Sequence, residues 1–144
     1  MEQRISMTNL IVPDVAEARR FFEEGLGWQL NASPAPEVAF YQVPGGVFAL
    51  YSRAALASEI GREVTGDTTG AVTLAWNARS ESEVDDAFQK ALSAGAKPVM
   101  QPQKAYWGGY SSYVEVPGGH LLEIAFNPFW TVEPDGSVTL PPPQ

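Results

Sequence analysis

The sequence predicts an α+β fold built from two paired modules, each running strand, helix and three strands. Three observations predict it. Ala39 to Ser52 aligns with Ser112 to Ala125, and both stretches carry Val-Pro-Gly-Gly between two apolar strands, the mark of a repeated unit. A capping box precedes each hairpin, Asp14 with Glu17 and Ser80 with Glu83, and such boxes open helices. Each helix follows a short apolar strand. One such unit buries its sheet only under its helix, so two units are expected to pair as a curved mixed sheet around a concave cavity.

The first module spans about residues 4–60. Arg4 to Val12 reads as a strand, with Ile5, Met7, Asn9 and Ile11 on one face and Leu10 and Val12 on the other. Asp14 caps a helix from Val15 to Glu24, whose apolar stripe is Ala18, Phe21, Phe22 and Leu26. Gly25 and Gly27 end it. Trp28 to Asn31 reads as a second strand and Ser33-Pro-Ala-Pro36 as a loop. Val38 to Val43 and Val47 to Tyr51 form the first hairpin, turned by a proline that presets φ and a glycine that takes the positive-φ corner. Arg53 to Ile60 reads as a short helix. Residues 61–70, rich in Thr, Asp and Gly, read as a linker.

The second module spans about residues 71–130. Ala71 to Asn77 is a strand. Ser80 caps a helix to about Ala94, with Val84, Ala87, Phe88, Ala91 and Leu92 on its buried face and Gly95 as C-cap. Pro98 to Met100 and Gln103 to Tyr106 read as one broken strand, and Trp107-Gly-Gly-Tyr110 as a loop. Ser112 to Val116 and His120 to Phe126 form the second hairpin. Asn127-Pro128 ends it, because proline has no N–H for the ladder. Residues 131–144 read as an extended proline-rich tail, packed on the surface or on another subunit.

With 144 residues, 44% of them hydrophobic and 18% charged, the chain suits one folded domain, 1–144. A net charge of −8 repels phosphate, so nucleic acid and anionic membranes are not expected partners. The same charge suits either solubility or a cationic ligand. There is no cysteine, which excludes disulfides, thiolate nucleophiles and cysteine metal sites. The N-terminal stretch lacks the features of a signal peptide, and a cytoplasmic location is expected.

The double βαβββ layout, the opening Leu10-x-Val12-x-Asp14 with Phe21-Phe22 and Gly25-Leu-Gly27, and the closing Pro117-Gly-Gly-His-Leu-Leu-Glu123 resemble the vicinal oxygen chelate superfamily. That superfamily holds glyoxalases, bleomycin-resistance proteins and extradiol dioxygenases. Trp107-Gly-Gly-Tyr110 and Asn127-Pro-Phe-Trp130 resemble one of its glyoxalase/bleomycin-resistance-like subgroups. The resemblance implies a homodimer, and, in metal-using members, one metal ligand from the first and last strand of each module. Those positions are Met7, about Ala71, about Leu50 and Glu123. Three of the four are apolar, and one carboxylate cannot hold a divalent ion that needs several N or O donors. His120 is the single histidine, and alternation turns it away from Glu123. No metal and no cofactor are expected.

A carboxylate in a buried strand is costly unless it is paired or serves a wet cavity. Glu123 therefore reads either as a general base or ligand anchor, or as a relic satisfied by a neighbouring hydroxyl or water. Alternation places Met7, Asn9, Phe48 and Leu50 of the first module on the cavity face, and Thr73, Leu121 and Glu123 of the second. The aromatic set Tyr106, Trp107, Tyr110, Tyr113, Phe126, Phe129 and Trp130 is dense. Trp107 and Tyr110 read as a stacking wall for a planar or cationic ligand or as packing groups; Phe126, Phe129 and Trp130 read as packing. The expected function is metal-independent binding or sequestration of a small aromatic or cationic molecule. The alternatives are an enzyme, either a metal-free lyase or isomerase with Glu123 as base or a divergent lactoylglutathione lyase or dioxygenase relative, and a non-catalytic scaffold.

Overall fold

Both helix starts follow from their caps. Asp14 is extended and its carboxylate accepts the N–H of Glu17 at 3.1 Å; Ser80 does the same for Glu83 at 3.1 Å. A side-chain acceptor satisfies an N–H that the first helical turn would leave without a partner. The computed structural model describes residues 5, 7–65 and 72–140, and the chain divides into two compact units, 1–67 and 68–144. Arg4, Ala71, 66–70 of the linker and 141–144 of the tail lie outside the described residues.

The first unit holds a four-stranded sheet in the order β1 (Met7–Val12), β4 (Gly46–Ser52), β3 (Val38–Val43) and β2 (Ala32–Ala35). β1 runs parallel to β4 and the other pairs are antiparallel. Helix α1 (Val15–Arg19) continues as a π-helix over Arg20–Gly25. α2 (Arg53–Ile60) follows β4, capped by Ser52. The second strand lies at Ala32–Ala35, not at Trp28 to Asn31. Pro34 is tolerated because β2 is an edge strand with interrupted pairing. Trp28 instead joins the core, its ring 5.0 Å from Phe22 and 5.3 Å from Phe48. Tyr41 is buried in the same cluster. Its hydroxyl donates to Glu23 at 3.0 Å, and Arg19 donates to the same carboxylate at 2.8 Å.

The second unit repeats the plan. Its sheet order is β5 (Thr73–Ala78), β8 (His120–Phe126), β7 (Tyr110–Val116) and β6 (Lys97–Lys104). β5 is parallel to β8, and β6 is one strand with two register shifts near Pro98 and Met100. Helix α3 (Glu81–Ser93) buries Val84, Phe88 and Ala91. Residues 131–140 are not an extended tail: β9 (Thr131–Val132) pairs with β10 (Val138–Thr139), and Asp135 caps the turn through Ser137. Arg79 donates to the carbonyl of Glu133 at 2.6 Å and ties this ribbon to the end of β5.

Candidate functional site

The two hairpins share Val-Pro-Gly-Gly but differ in loop length. In the first, Val43 pairs with Gly46 around a two-residue turn, Pro44-Gly45, with φ +78° at Gly45. In the second, Val116 pairs with His120 around Pro117-Gly118-Gly119, and both glycines have positive φ, +93° and +81°. Only glycine takes consecutive positive φ values without strain. One extra loop residue shifts the return strand by one position, and a shift of one exchanges its faces.

Sequence alignment sets Glu123 against Leu50; the ladder sets it against Ala49. Glu123 lies opposite Tyr113, and Ala49 lies opposite Phe40. Phe48 and Leu50, expected on the cavity face, are therefore on the helix-covered face. Both are buried, and Phe48 packs its ring 5.1 Å from that of Phe22. The opposite face of the first sheet carries Met7, Asn9, Phe40, Val47, Ala49 and Tyr51. Met7 and Asn9 are exposed there, as alternation requires.

In the second unit, the hydroxyl of Tyr110 donates to Asp85 of α3 at 2.9 Å, which identifies the α3 side of the sheet. Tyr110 is thus a strand residue on the helix side. Lys104 stands over its ring and pairs with Glu81. His120, in register with Val116, shares that side. The face away from α3 carries Thr73, Ala75, Ser111, Tyr113, Leu121 and Glu123. Thr73 is exposed, whereas Leu121, Tyr113 and Glu123 are half-buried. Burial first, then the Glu123 carboxylate opposite it, raises the phenol of Tyr113 above its ordinary range. Trp107 is no free wall: its ring occupies the space where a Cβ on Gly109 would stand, and Phe129 lies 3.4 Å from the equivalent point on Gly108. Tyr106, at the loop tip, is fully exposed. The pairing of Tyr113 with Glu123 was not legible in the sequence, because the partner across the ladder depends on the length of the turn.

A groove of about 670 Å³ also lies between α2 and the β2–β3 turn, lined in part by Glu37, Val38, Tyr51 and Glu59. Within that lining the Tyr51 hydroxyl donates to Glu59 at 2.7 Å.

Residues 4–124 match the model of the Glyoxalase/Bleomycin resistance protein/Dioxygenase superfamily. The chain belongs to that superfamily. It is similar to a glyoxalase-related enzyme from Fulvimarina pelagi, with 36% identity and a TM-score of 0.89 over 96% of this chain and 99% of that one. A superfamily protein from Nocardioides shares its fold at 23% identity and a TM-score of 0.72, over 88% of this chain and 84% of that one. So does a lactoylglutathione lyase from Agrobacterium tumefaciens, at 20% identity and 0.69, over 92% and 100%. No curated protein matches the chain. No helix among the described residues is long and apolar enough to cross a membrane.

In metal-using members of the superfamily, the first and last strand of each module are expected to supply the ligands of a divalent metal. Ala71 lies outside the described residues; the residue seven before the Ser80 cap, as Met7 is before Asp14, is Thr73. The four positions are then Met7, Ala49, Thr73 and Glu123. A thioether, a methyl, a hydroxyl and one carboxylate do not fit a divalent ion that takes several N or O donors. Among the described residues, no three His, Cys, Asp or Glu side chains group as a metal site.

Proposed function

We propose that the chain binds a small organic molecule, without a metal ion, on the face of the second sheet that carries Glu123. The observation that carries this reading is the pairing of Glu123 with Tyr113 on a face that also carries Thr73, Ala75, Asn77, Ser111, Glu115, Leu121 and Ala125. A carboxylate and a phenol among mixed apolar and polar neighbours give a ligand orientation together with some apolar contact, as small-molecule sites do. Native mass spectrometry of protein purified without chelator tests it. The expected result is a dimer carrying an extra small-molecule mass and no metal. A stoichiometric metal overturns the reading.

The likeness to the glyoxalase-related enzyme of Fulvimarina pelagi favours a second reading, in which Glu123 takes a proton from a bound substrate as a metal-free lyase or isomerase would require. Under it, Glu123→Gln abolishes turnover while the fold survives; retained turnover removes Glu123 from that role.

A further inference from the structure

The groove of about 670 Å³ beside α2 is built wholly from the first unit. That volume lies within the roughly 300–1,000 Å³ of small-molecule sites. α2 does not fill it. The helix lines it with Ala54, Ala55 and Ser58, whose side chains are short, and no residue of α2 is buried. A helix of this length has little stability of its own. Its ends are satisfied instead: Ser52 accepts the N–H of Ala55 at 3.3 Å, and Gly61, with φ +67°, donates to the carbonyl of Ala57.

The charge of the lining has one sign. Glu37 and Glu59 line the groove, and no lysine, arginine or histidine does. Arg53 begins α2 but is not part of the lining. Glu59 receives the Tyr51 hydroxyl on Oε2, at 2.7 Å, which leaves Oε1 to accept from a ligand. Neither carboxylate is in an ion pair: among the described residues the pairs are Arg19–Glu23, Arg79–Glu83, Lys97–Glu115 and Lys104–Glu81. No three His, Cys, Asp or Glu side chains group there as a metal site. The complement is therefore an organic cation, with an ammonium head for the carboxylates and an apolar body for Ala35, Val38 and Ala55. A net charge of −8 favours its approach.

We propose that the α2 groove is a second small-molecule site, for a primary organic ammonium ion, with Glu59 as its charged contact and Tyr51 as the group that orients Glu59. It uses no residue of the Glu123 face and stands or falls separately from that site.

Two-dimensional amide NMR of the full chain, titrated with benzylammonium chloride and, as the neutral control, benzyl alcohol, tests it. The ammonium is expected to give saturable shifts at the amides of α2 and Val38, with an affinity about tenfold above that of the alcohol. Glu59→Gln weakens ammonium binding about fivefold, the worth of one exposed ion pair. Ser58 is exposed, so Ser58→Leu keeps the fold and both carboxylates while occupying the groove; it is expected to abolish the α2 shifts. Shifts confined to β7 and β8 assign the ammonium to the Glu123 face and overturn the groove as its site. Equal affinity for the two probes, an unaffected Glu59→Gln, or no saturable shift at millimolar ammonium overturns the ligand class. An unaffected Ser58→Leu overturns the groove.

Discussion

Glu123 stands directly across the β7–β8 ladder from Tyr113. It reaches that position because the loop before it is one residue longer than its counterpart in the first unit. Deleting Gly119 should therefore do more than shorten a turn. It would slide β8 by one residue, drive Glu123 toward α3 and turn Ile124 outward. Burying a carboxylate without a partner costs several kcal/mol. The expected outcome is a large fall in the denaturant midpoint or loss of folding. Inserting one glycine after Gly45 should do comparable damage by turning Phe48 and Leu50 out of the core, and urea titrations check both.

Gly109→Ala should destabilise the second unit by about 1–3 kcal/mol, the range for overpacking. The added methyl meets the Trp107 ring and lies 2.6 Å from the carbonyl oxygen of Phe126, a backbone atom that cannot move aside. The indole should leave its seat. A red-shifted tryptophan emission together with a lowered melting temperature is expected, and an unshifted emission would show that the ring is not seated on Gly109.

Much of the plan was legible. The Asp14 and Ser80 caps, the repeated Val-Pro-Gly-Gly hairpins and the broken β6 strand all appear where local rules put them, because each depends on residues close in sequence. Phe48 and Leu50 were misplaced because identical Val-Pro-Gly-Gly letters admit turns of two lengths, and only the ladder shows which was used. The second strand was misread because an edge accepts Pro34, whereas Trp28 is drawn into the aromatic core. Trp107 read as either a stacking wall or a packing group, because a sequence cannot show a ring folded onto Gly109. The 131–140 ribbon was hidden by Pro134 and by the brevity of its strands.

Tyr41→Phe should cost about 1 kcal/mol, the worth of one hydrogen bond, since the ring stays buried and only the bond to Glu23 is lost. The melting temperature should fall by a few degrees. Thermal unfolding followed by circular dichroism checks it.

The same trio sets a pH dependence at both ends. The hydrogen bond from Arg19 holds the Glu23 carboxyl below its ordinary 4.5. Its stabilisation is therefore present above that value and fades as pH falls through the lower folded-state value. Burial, then Glu23, raises the Tyr41 phenol far above its ordinary 10.0. That contribution is complete below pH 10.0 and is lost as pH rises toward the folded-state value. Glu23→Gln should flatten the acid limb of a stability–pH curve, and Tyr41→Phe the alkaline limb. Unchanged limbs would show that the trio does not set them.

The account turns on what meets Glu123. A crystal structure of the protein purified without chelator, at a resolution that separates a metal from an organic molecule, answers this directly. The prediction is an organic molecule against the Glu123 carboxylate and the Tyr113 ring, with no metal in contact. A metal ion coordinated by Glu123 would contradict it.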